Sequence, residues 1–170
     1  MKKSKHLSKT RIKRIQEQGY ITQSDSEITA LAVGNRFAYQ LCTTILMLGT
    51  ITANIPLLSL MMTVAFFGVV LPNHPFDYIY NNLLAKRMGR PKVPPRSPQL
   101  KFACTVATIW IGATIYLFYS GLYTAGYISG ALLLTVALLV STLDFCIPSI
   151  IYNAVTRNML SRFAGKSSME

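Results

Sequence analysis

One carboxylate of this 170-residue chain falls inside a long apolar run, where its chemistry would matter most. Asp144 lies near the end of the last such run. An ionisable group in hydrocarbon is costly, and such groups often handle protons or substrates. The structural alternative is an ion pair, because Arg36 and Lys101 each precede an apolar run and should lie at the same level as Asp144. Since the energetic penalty falls toward the membrane surface, the sequence favours the ion pair.

Cys146 follows two residues later and offers a thiol. Nearby cations favour the reactive thiolate, and Arg36, Lys101 and Arg157 are candidate neighbours. A redox or sulfur-transfer role is one interpretation, and a small apolar packing residue is the other. The chain has three cysteines, and Cys42 or Cys104 could serve instead of Cys146. Their positions predict neither a disulfide framework nor a zinc site.

A third candidate is the motif His74–Asp77, HPFD, which separates the second and third apolar runs. Pro75 stops a helix and Asp77 can cap the next one, so capping and interfacial hydrogen bonds account for both titratable side chains. Metal ligation is the competing interpretation, but the spacing is not diagnostic, and we predict no metal and no other cofactor. The ligand types considered are His74, Asp77, Asp144 and Cys146.

The elements that must position these residues are four apolar runs, at about 37–52, 55–71, 100–119 and 127–150. Hydrophobic residues make up 51% of the chain and charged residues 14%, whereas soluble domains average about 25% charged. Runs of this length suit a hydrocarbon core of about 30 Å. The first two runs are separated only at Asn54-Ile55-Pro56, so these must form an antiparallel hairpin. The sequence therefore predicts an all-α integral membrane protein with four transmembrane helices in two tandem hairpins.

Charge gives the predicted orientation. All 17 Lys and Arg residues lie before the first run, between the second and third runs, or after the fourth. The positive-inside rule then places both termini and the connector in the cytoplasm, with the protein in an inner (plasma) membrane. The net charge of +11 does not indicate nucleic acid, because the cations flank apolar runs. Expected partners are the lipid bilayer, anionic headgroups, and a membrane-protein partner or second copy of the chain.

The chain divides into a basic cytoplasmic tail (1–33), the first hairpin (34–71), a connector (72–99), the second hairpin (100–153) and a C-terminal tail (154–170). We expect Met1–Tyr20 to be unfolded and to lie on the membrane surface. Ser24 and Glu27 have capping-box spacing and predict a helix start, which either continues through Gly34 or breaks there. Apolar residues at helical spacing predict a short amphipathic helix in the cytoplasmic interface. They are Phe76, Ile79, Tyr80, Leu83 and Leu84.

The two hairpins resemble each other in sequence. The triplet Arg36–Ala38 opens the first and Lys101–Ala103 opens the second, and Ile79–Asn81 and Ile151–Asn153 follow them, each after a proline. This pattern predicts a duplicated unit, as in other membrane proteins. The motif Gly126-x-x-x-Gly130 either allows close helix approach or simply gives flexibility.

The HPFD motif, the Lys101–Ala103 triplet and Phe145-Cys146 resemble a bacterial membrane family known as domain of unknown function 4395. The resemblance covers about residues 35–153. It implies a four-helix integral membrane protein and brings no established activity. Members of that family usually carry a C-x-x-C-like pair after the phenylalanine. This chain has Ser149 at the second cysteine position, so a dithiol would lack its resolving thiol.

The sequence contains no Gly-rich phosphate loop, no G-x-S-x-G and no H-E-x-x-H, so we predict no catalytic residue. We interpret the protein as a non-enzymatic accessory or scaffold subunit with a basic cytoplasmic face. One alternative is a membrane thiol or sulfur-handling redox protein centred on Cys146. A second alternative is a small oligomeric transporter that uses Asp144. The candidate functional residues are Asp144, Cys146, His74, Asp77, Arg36 and Lys101.

Overall fold

The computed structural model describes residues 7–21 and 23–167, with side chains as far as Arg157. The N-terminal lysines Lys2, Lys3 and Lys5 lie outside the described residues. Within the described ranges the chain is all-helical and contains no strand, as predicted. A π-helical turn, Tyr80–Leu84, joins α4 to α5. The helices are α1 Lys9–Gln16, α2 Asp25–Ile51, α3 Ile55–Val70, α4 Pro75–Ile79, α5 Ala85–Arg87, α6 Pro98–Tyr119, α7 Tyr123–Leu143 and α8 Ile147–Ser167.

Helices α2, α3, α6 and α7 pack as an antiparallel bundle. Tight turns join α2 to α3 and α6 to α7, which gives the two predicted hairpins. The hairpins then pack together, α3 along α6 and α2 along α7. The buried core consists of Leu46, Leu58, Met61, Ala65, Ile111, Phe118 and Leu133.

Two of these helices, α6 and α7, are long and apolar enough to cross a membrane. Helix α3 has only 16 residues. It meets the same criterion only together with Pro75–Arg87, which continues it beyond a bend of 82°. Helix α2 has 27 residues, but Asn35, Arg36 and Gln40 make its first half polar. By length and composition the described residues therefore contain two, or up to three, segments that could cross a membrane, against the four predicted.

The N-terminal segment is folded where it is described, so the prediction of an unfolded surface tail is wrong for those residues. Ile12 and Ile15 of α1 are 4% and 2% exposed. They belong to one buried cluster with Ile28 of α2 and Leu100 of α6. The two isoleucines lie three residues apart and so share one face of a helix. This short apolar face holds the surrounding cations against the end of the bundle.

Helix α2 starts as predicted. Ser24 accepts the backbone N–H of Glu27, and the Glu27 carboxylate accepts the backbone N–H of Ser24. The helix continues without a break through Gly34. A Cβ there would lie 2.5 Å from the Tyr80 ring and 2.6 Å from Val93. The missing side chain thus lets the connector pack directly on α2.

Contrary to the prediction from the sequence, the apolar residues of the connector helix do not lie on one side of it. A π turn contains more residues per turn than an α-helix and so breaks the 3.6-residue period. Tyr80 and Ala85 face inward and are each 1% exposed, whereas Ile79 and Leu83 are 42% and 58% exposed. Lys86 is exposed, as predicted. The apolar residues are therefore divided between a face that packs on the bundle and a face that points away from it.

The fourth apolar run ends earlier than predicted. Helix α7 ends at Leu143, and Asp144 adopts a left-handed backbone with φ of 56°. A new helix, α8, begins at Ile147 with Pro148 in its first turn, where a missing N–H costs no helical hydrogen bond. Cys146 therefore lies in a break between two helices. Residues 154–167, predicted as a tail, continue α8.

The predicted repeat is visible in equivalent contacts. Phe37 packs on Tyr80 with ring centroids 5.8 Å apart, and Phe102 packs on Tyr152 at 5.7 Å. In each case a helix with proline in its first turn returns to the opening helix of its own hairpin, α4 to α2 and α8 to α6. The contacts of α3 with α6 and of α7 with α2 correspond in the same way. This equivalence supports duplication of the unit.

Gly126 and Gly130 bring α7 close to two different helices. A Cβ on Gly130 would lie 2.4 Å from Thr50 Cγ2 of α2, and a Cβ on Gly126 would lie 2.7 Å from the Phe118 ring of α6. The motif therefore permits close packing within one chain, which is the first of the two predicted interpretations.

We expect Gly130→Ala to lower the melting temperature, although alanine favours a helix by about 1 kcal/mol relative to glycine. The added methyl group would overlap Thr50, and such overpacking costs about 1–3 kcal/mol. Gly112→Ala is the matched control, because a Cβ there meets only Met62 Sδ, at 3.4 Å. Thermal melts in one detergent compare the two variants. A melting temperature for Gly130→Ala equal to that of Gly112→Ala would contradict the close packing.

Candidate functional site

Asp144 is held by two arginines at the end of the bundle where the connector lies. Arg11 Nη2 is 2.7 Å from Asp144 Oδ2, and Arg36 Nε is 3.0 Å from Oδ1. Arg36 also donates to the backbone oxygen of Thr142. The predicted pair with Arg36 is therefore present, and Arg11 is an additional partner. Lys101 is not among the ion pairs of the described residues, because the first turns of α6 pack on α8 instead.

Helix α1 caps the C-terminal end of α7. Arg14 donates to the Leu143 carbonyl at 3.1 Å, and Gln18 donates to the Asp144 carbonyl at 2.8 Å. The last carbonyls of a helix lack partners within it, and they carry partial negative charge that cations stabilise. The arginines of the N-terminal segment thus have a structural role that the sequence analysis missed. The two ion pairs of Asp144 are also what the structural alternative, an ion-paired carboxylate, predicts.

Asp77 forms a second, more deeply buried ion pair. Arg96 donates from Nε to Asp77 Oδ2 at 2.6 Å and from Nη2 to Oδ1 at 2.7 Å. The two side chains are 2% and 0% exposed. Asp77 also accepts the backbone N–H of His74 at 3.1 Å, which is the predicted capping role. Removing one partner of such a buried pair costs about 3–5 kcal/mol.

Hydrogen bonds join the two ion-pair sites. Arg96 Nη1 donates to the Tyr39 hydroxyl at 3.1 Å, and that hydroxyl donates to Gln18 Oε1 at 3.0 Å. Gln18 in turn contacts Asp144, as described above. The Arg96 guanidinium also lies over the Tyr39 ring, 5.1 Å from its centroid. A continuous polar network therefore crosses the end of the bundle from α4 to α7.

Next to this network the helices border a cavity of about 220 Å³ that is partly open to the surface. Its wall is mostly apolar, and Tyr39, His74 and Arg96 line its polar end. All three cysteines also line it. Small side chains on four helices leave the space open. These are Ala38, Ala65, Ala103, Ala107 and Ala137.

His74 lies between two of the thiols. Its Nε2 is 3.8 Å from Cys42 Sγ. Its ring and Cys104 Sγ both occupy space that a side chain on Gly68 would fill, at 2.6 and 3.0 Å from the Cβ position. Gly68 therefore makes room for the histidine at the cavity wall.

The chemical state of His74 follows from its surroundings. Nδ1 accepts the backbone N–H of Phe76 at 3.3 Å, so in the neutral ring the proton is assigned to Nε2. Burial, and then the Arg96 cation, lowers the pKa of His74 to about 4. At pH 7 the cavity is therefore bordered by a neutral imidazole with an N–H donor.

Cys146 also borders the cavity but belongs to no dithiol. The Ser149 hydroxyl donates to Cys146 Sγ at 3.1 Å, and both residues are buried. In the part of the chain that the structure describes, no three side chains among His, Cys, Asp and Glu are placed to hold a metal ion. The predicted residues therefore do not form one site. They divide between the α7 cap, the Asp77–Arg96 pair and the cavity wall.

Comparison with known proteins gives one match. The family model described as Domain of unknown function (DUF4395) matches residues 32–157. No curated protein and no solved structure matches the chain. The matched residues contain the bundle, the connector and the Asp77–Arg96 pair, whereas α1 precedes them.

The geometry of Asp144 predicts unequal effects of removing the acid and its partners. In Asp144→Asn, Arg11 and Arg36 can turn toward water, because their side chains are already 29% and 26% exposed. Asparagine also tolerates a left-handed backbone, so the loss should be small. The double variant Arg11→Gln/Arg36→Gln leaves a buried carboxylate without cations and should cost about 3–5 kcal/mol. Adding Asp144→Asn to the double variant should restore part of that stability.

Thermal melts of the three variants in one detergent measure these effects. The double variant Lys9→Gln/Lys13→Gln is the control, since it also removes two charges from the same end of the bundle, at exposed positions of α1. An equal loss in this control, or no rescue by Asp144→Asn, would show that the carboxylate does not depend on its arginines.

Proposed function

This chain belongs to the DUF4395 family, and we propose that it is a four-span protein of the bacterial plasma membrane that serves as a non-enzymatic accessory subunit. In this proposal its cytoplasmic end presents a basic face to anionic headgroups and to an acidic membrane-protein partner. The observation that carries the proposal is the distribution of charge in the folded bundle.

The basic face consists of exposed cations at the connector end. The two buried carboxylates there, Asp77 and Asp144, are neutralised by arginines inside the fold. The exposed acids Asp25 and Glu27 of the same end are outnumbered. No Lys or Arg occurs in 37–85 or 102–156, which include both hairpin tips. Among the residues whose side chains are described, the exposed cations are Lys9, Lys13, Lys86, Arg87, Lys92 and Arg157.

Packing supports four spans where composition alone supports fewer. Helices α2 and α3 lie side by side with α6 and α7 in one bundle and therefore occupy the same depth. Sixteen residues make α3 about 24 Å long, and a short span is tolerated by local thinning of the bilayer. The bend of 82° after α3 turns the connector helix so that exposed Ile79 and Leu83 can lie in the membrane interface.

Two other functions have weaker support. The transporter hypothesis needs an acid that can change partners, and Asp144 is held between two arginines at one end of the bundle. The thiol hypothesis is favoured by the three cysteines that line one cavity. Against it, buried cysteines are usually inert, and Cys146 is paired with Ser149, which cannot form a disulfide.

The proposed topology predicts which exposed positions reach the outside of the cell. In a variant without native cysteines, Thr52→Cys and Ser120→Cys at the two hairpin tips should react with a membrane-impermeant maleimide in intact cells. Asn82→Cys in the connector is equally exposed in the fold but should react only after lysis. If Thr52→Cys does not react in intact cells, the first hairpin does not cross the membrane as two spans. If Asn82→Cys reacts in intact cells, the orientation is the reverse of the one proposed.

Charge at the connector should control partner retention. We expect the triple variant Lys86→Gln/Arg87→Gln/Lys92→Gln to retain a partner or anionic lipid at least about tenfold less well, since each cation contributes roughly 1 kcal/mol at an anionic surface. The matched control Lys86→Arg/Arg87→Lys/Lys92→Arg keeps every charge. Co-purification from native membranes in mild detergent measures retention.

Equal retention by the glutamine variant and the charge-conserving control would contradict the basic-face proposal. A different result would favour the thiol hypothesis instead. In cells whose growth depends on this protein, Cys146→Ala would then fail to replace the wild type although it retains the partner equally well.

A further inference from the structure

We propose that the central cavity binds a small apolar molecule that carries a carbonyl oxygen, of the size and chemistry of a quinone ring. The carbonyl oxygen would lie at the end of the cavity formed by Arg96 and His74. This binding activity is independent of the basic face and adds to it.

The size of the cavity sets the class of ligand. The apolar space measures about 220 Å³ and is partly open to the surface between the helices, which gives a ligand a way in. An apolar cavity of about 150 Å³ is enough to bind benzene, and the larger space here suits two fused rings. Alanines from α2, α3, α6 and α7 keep it open at positions where a larger side chain would fill it.

The wall favours a flat and uncharged ligand. The indole of Trp110 lines the cavity, and its N–H donates to Ser129 Oγ at 3.1 Å, which fixes the ring. An aromatic wall favours a planar partner through offset or edge-to-face contacts. Apolar side chains form most of the remaining surface, and they include Leu46, Met61, Ile111 and Leu133.

The polar end favours an acceptor without charge. Arg96 Nη1 and Nη2 each make one hydrogen bond, to Tyr39 and Asp77, and each carries a second N–H. The His74 Nε2–H contacts only Cys42 Sγ, at 3.8 Å, and a thiol is a weak acceptor. A carbonyl oxygen within reach of His74 or Arg96 would therefore gain a hydrogen bond that a hydrocarbon cannot make. Because Asp77 already neutralises Arg96, a neutral carbonyl fits better than a carboxylate, which would bring an uncompensated charge into the interior.

The chain contains its own reporter for this site, because Trp110 is its single tryptophan. We expect 2,3-dimethyl-1,4-naphthoquinone to quench Trp110 fluorescence saturably in the full-length protein in detergent. Both ring carbons that thiols could attack are methylated in this probe, so binding is measured without alkylation. The hydrocarbon 2,3-dimethylnaphthalene has the same shape without oxygen, and it should compete about tenfold less well, the effect of about 1.4 kcal/mol.

Two leucine substitutions on α6 distinguish the cavity from the outer surface. Ala107→Leu places a side chain in the cavity and should weaken binding at least about tenfold. Ala113→Leu lies on the same helix at an exposed position and should leave the affinity within about twofold of wild type. The melting temperature of each variant reports whether it is folded.

Three results would overturn the proposal. They are quenching that never saturates, equal affinity of Ala107→Leu and Ala113→Leu, and equal competition by the hydrocarbon. If native mass spectrometry shows a phospholipid that the quinone does not displace, the occupant is an acyl chain and the proposal also fails. Should Ala107→Leu not fold, alkylation of Cys104 by N-ethylmaleimide decides in the wild type: the probe should slow it, and an unchanged rate overturns the proposal.

Discussion

The polar groups at the C-terminal end of α7 need partners, and the arrangement of the connector end of the molecule depends on that requirement. Its last turn has carbonyl groups without helical partners, and Asp144 adds a buried carboxylate at the same point. The Asp144 side chain is only 4% exposed, so side chains from other elements must neutralise it, and some of them also donate to the last carbonyls. Arg36 comes from α2, and Arg11, Arg14 and Gln18 come from the N-terminal segment.

Satisfying that helix end connects parts of the chain that are far apart in sequence. Gln18 binds Asp144 with its amide nitrogen and accepts from Tyr39 with its amide oxygen. Tyr39 then contacts Arg96, which neutralises Asp77 in the connector. Because each member has a partner on both sides, the loss of one leaves a buried polar group unpaired elsewhere. Among the residues whose side chains are described, the cations therefore divide into those that bind groups within the fold and those at exposed positions.

Features that depend on neighbouring residues could be predicted from the sequence. The hairpins, the capping box at Ser24 and the proline-initiated helix at Pro75 each follow from a few adjacent residues. The pairs Arg11–Asp144 and Arg96–Asp77 could not be predicted in this way, because the partners are 133 and 19 residues apart with no periodic pattern between them. The break between α7 and α8 at Asp144 was also missed, since it requires a residue with a left-handed backbone inside a run that is otherwise uniformly apolar.

The cavity has a simple origin if the hairpins arose by duplication. Counting from Phe37 and Phe102, whose contacts are equivalent, Ala38 corresponds to Ala103, Tyr39 to Cys104, and Cys42 to Ala107; all six line the cavity. Two copies of one small-residue pattern facing each other across the bundle would leave a space between them. The copies then differ at equivalent positions, where one carries the Tyr39 hydroxyl and the other the Cys104 thiol. On this view duplication accounts for the space, whereas Tyr39 together with His74 and Arg96 of the connector makes one end of it polar.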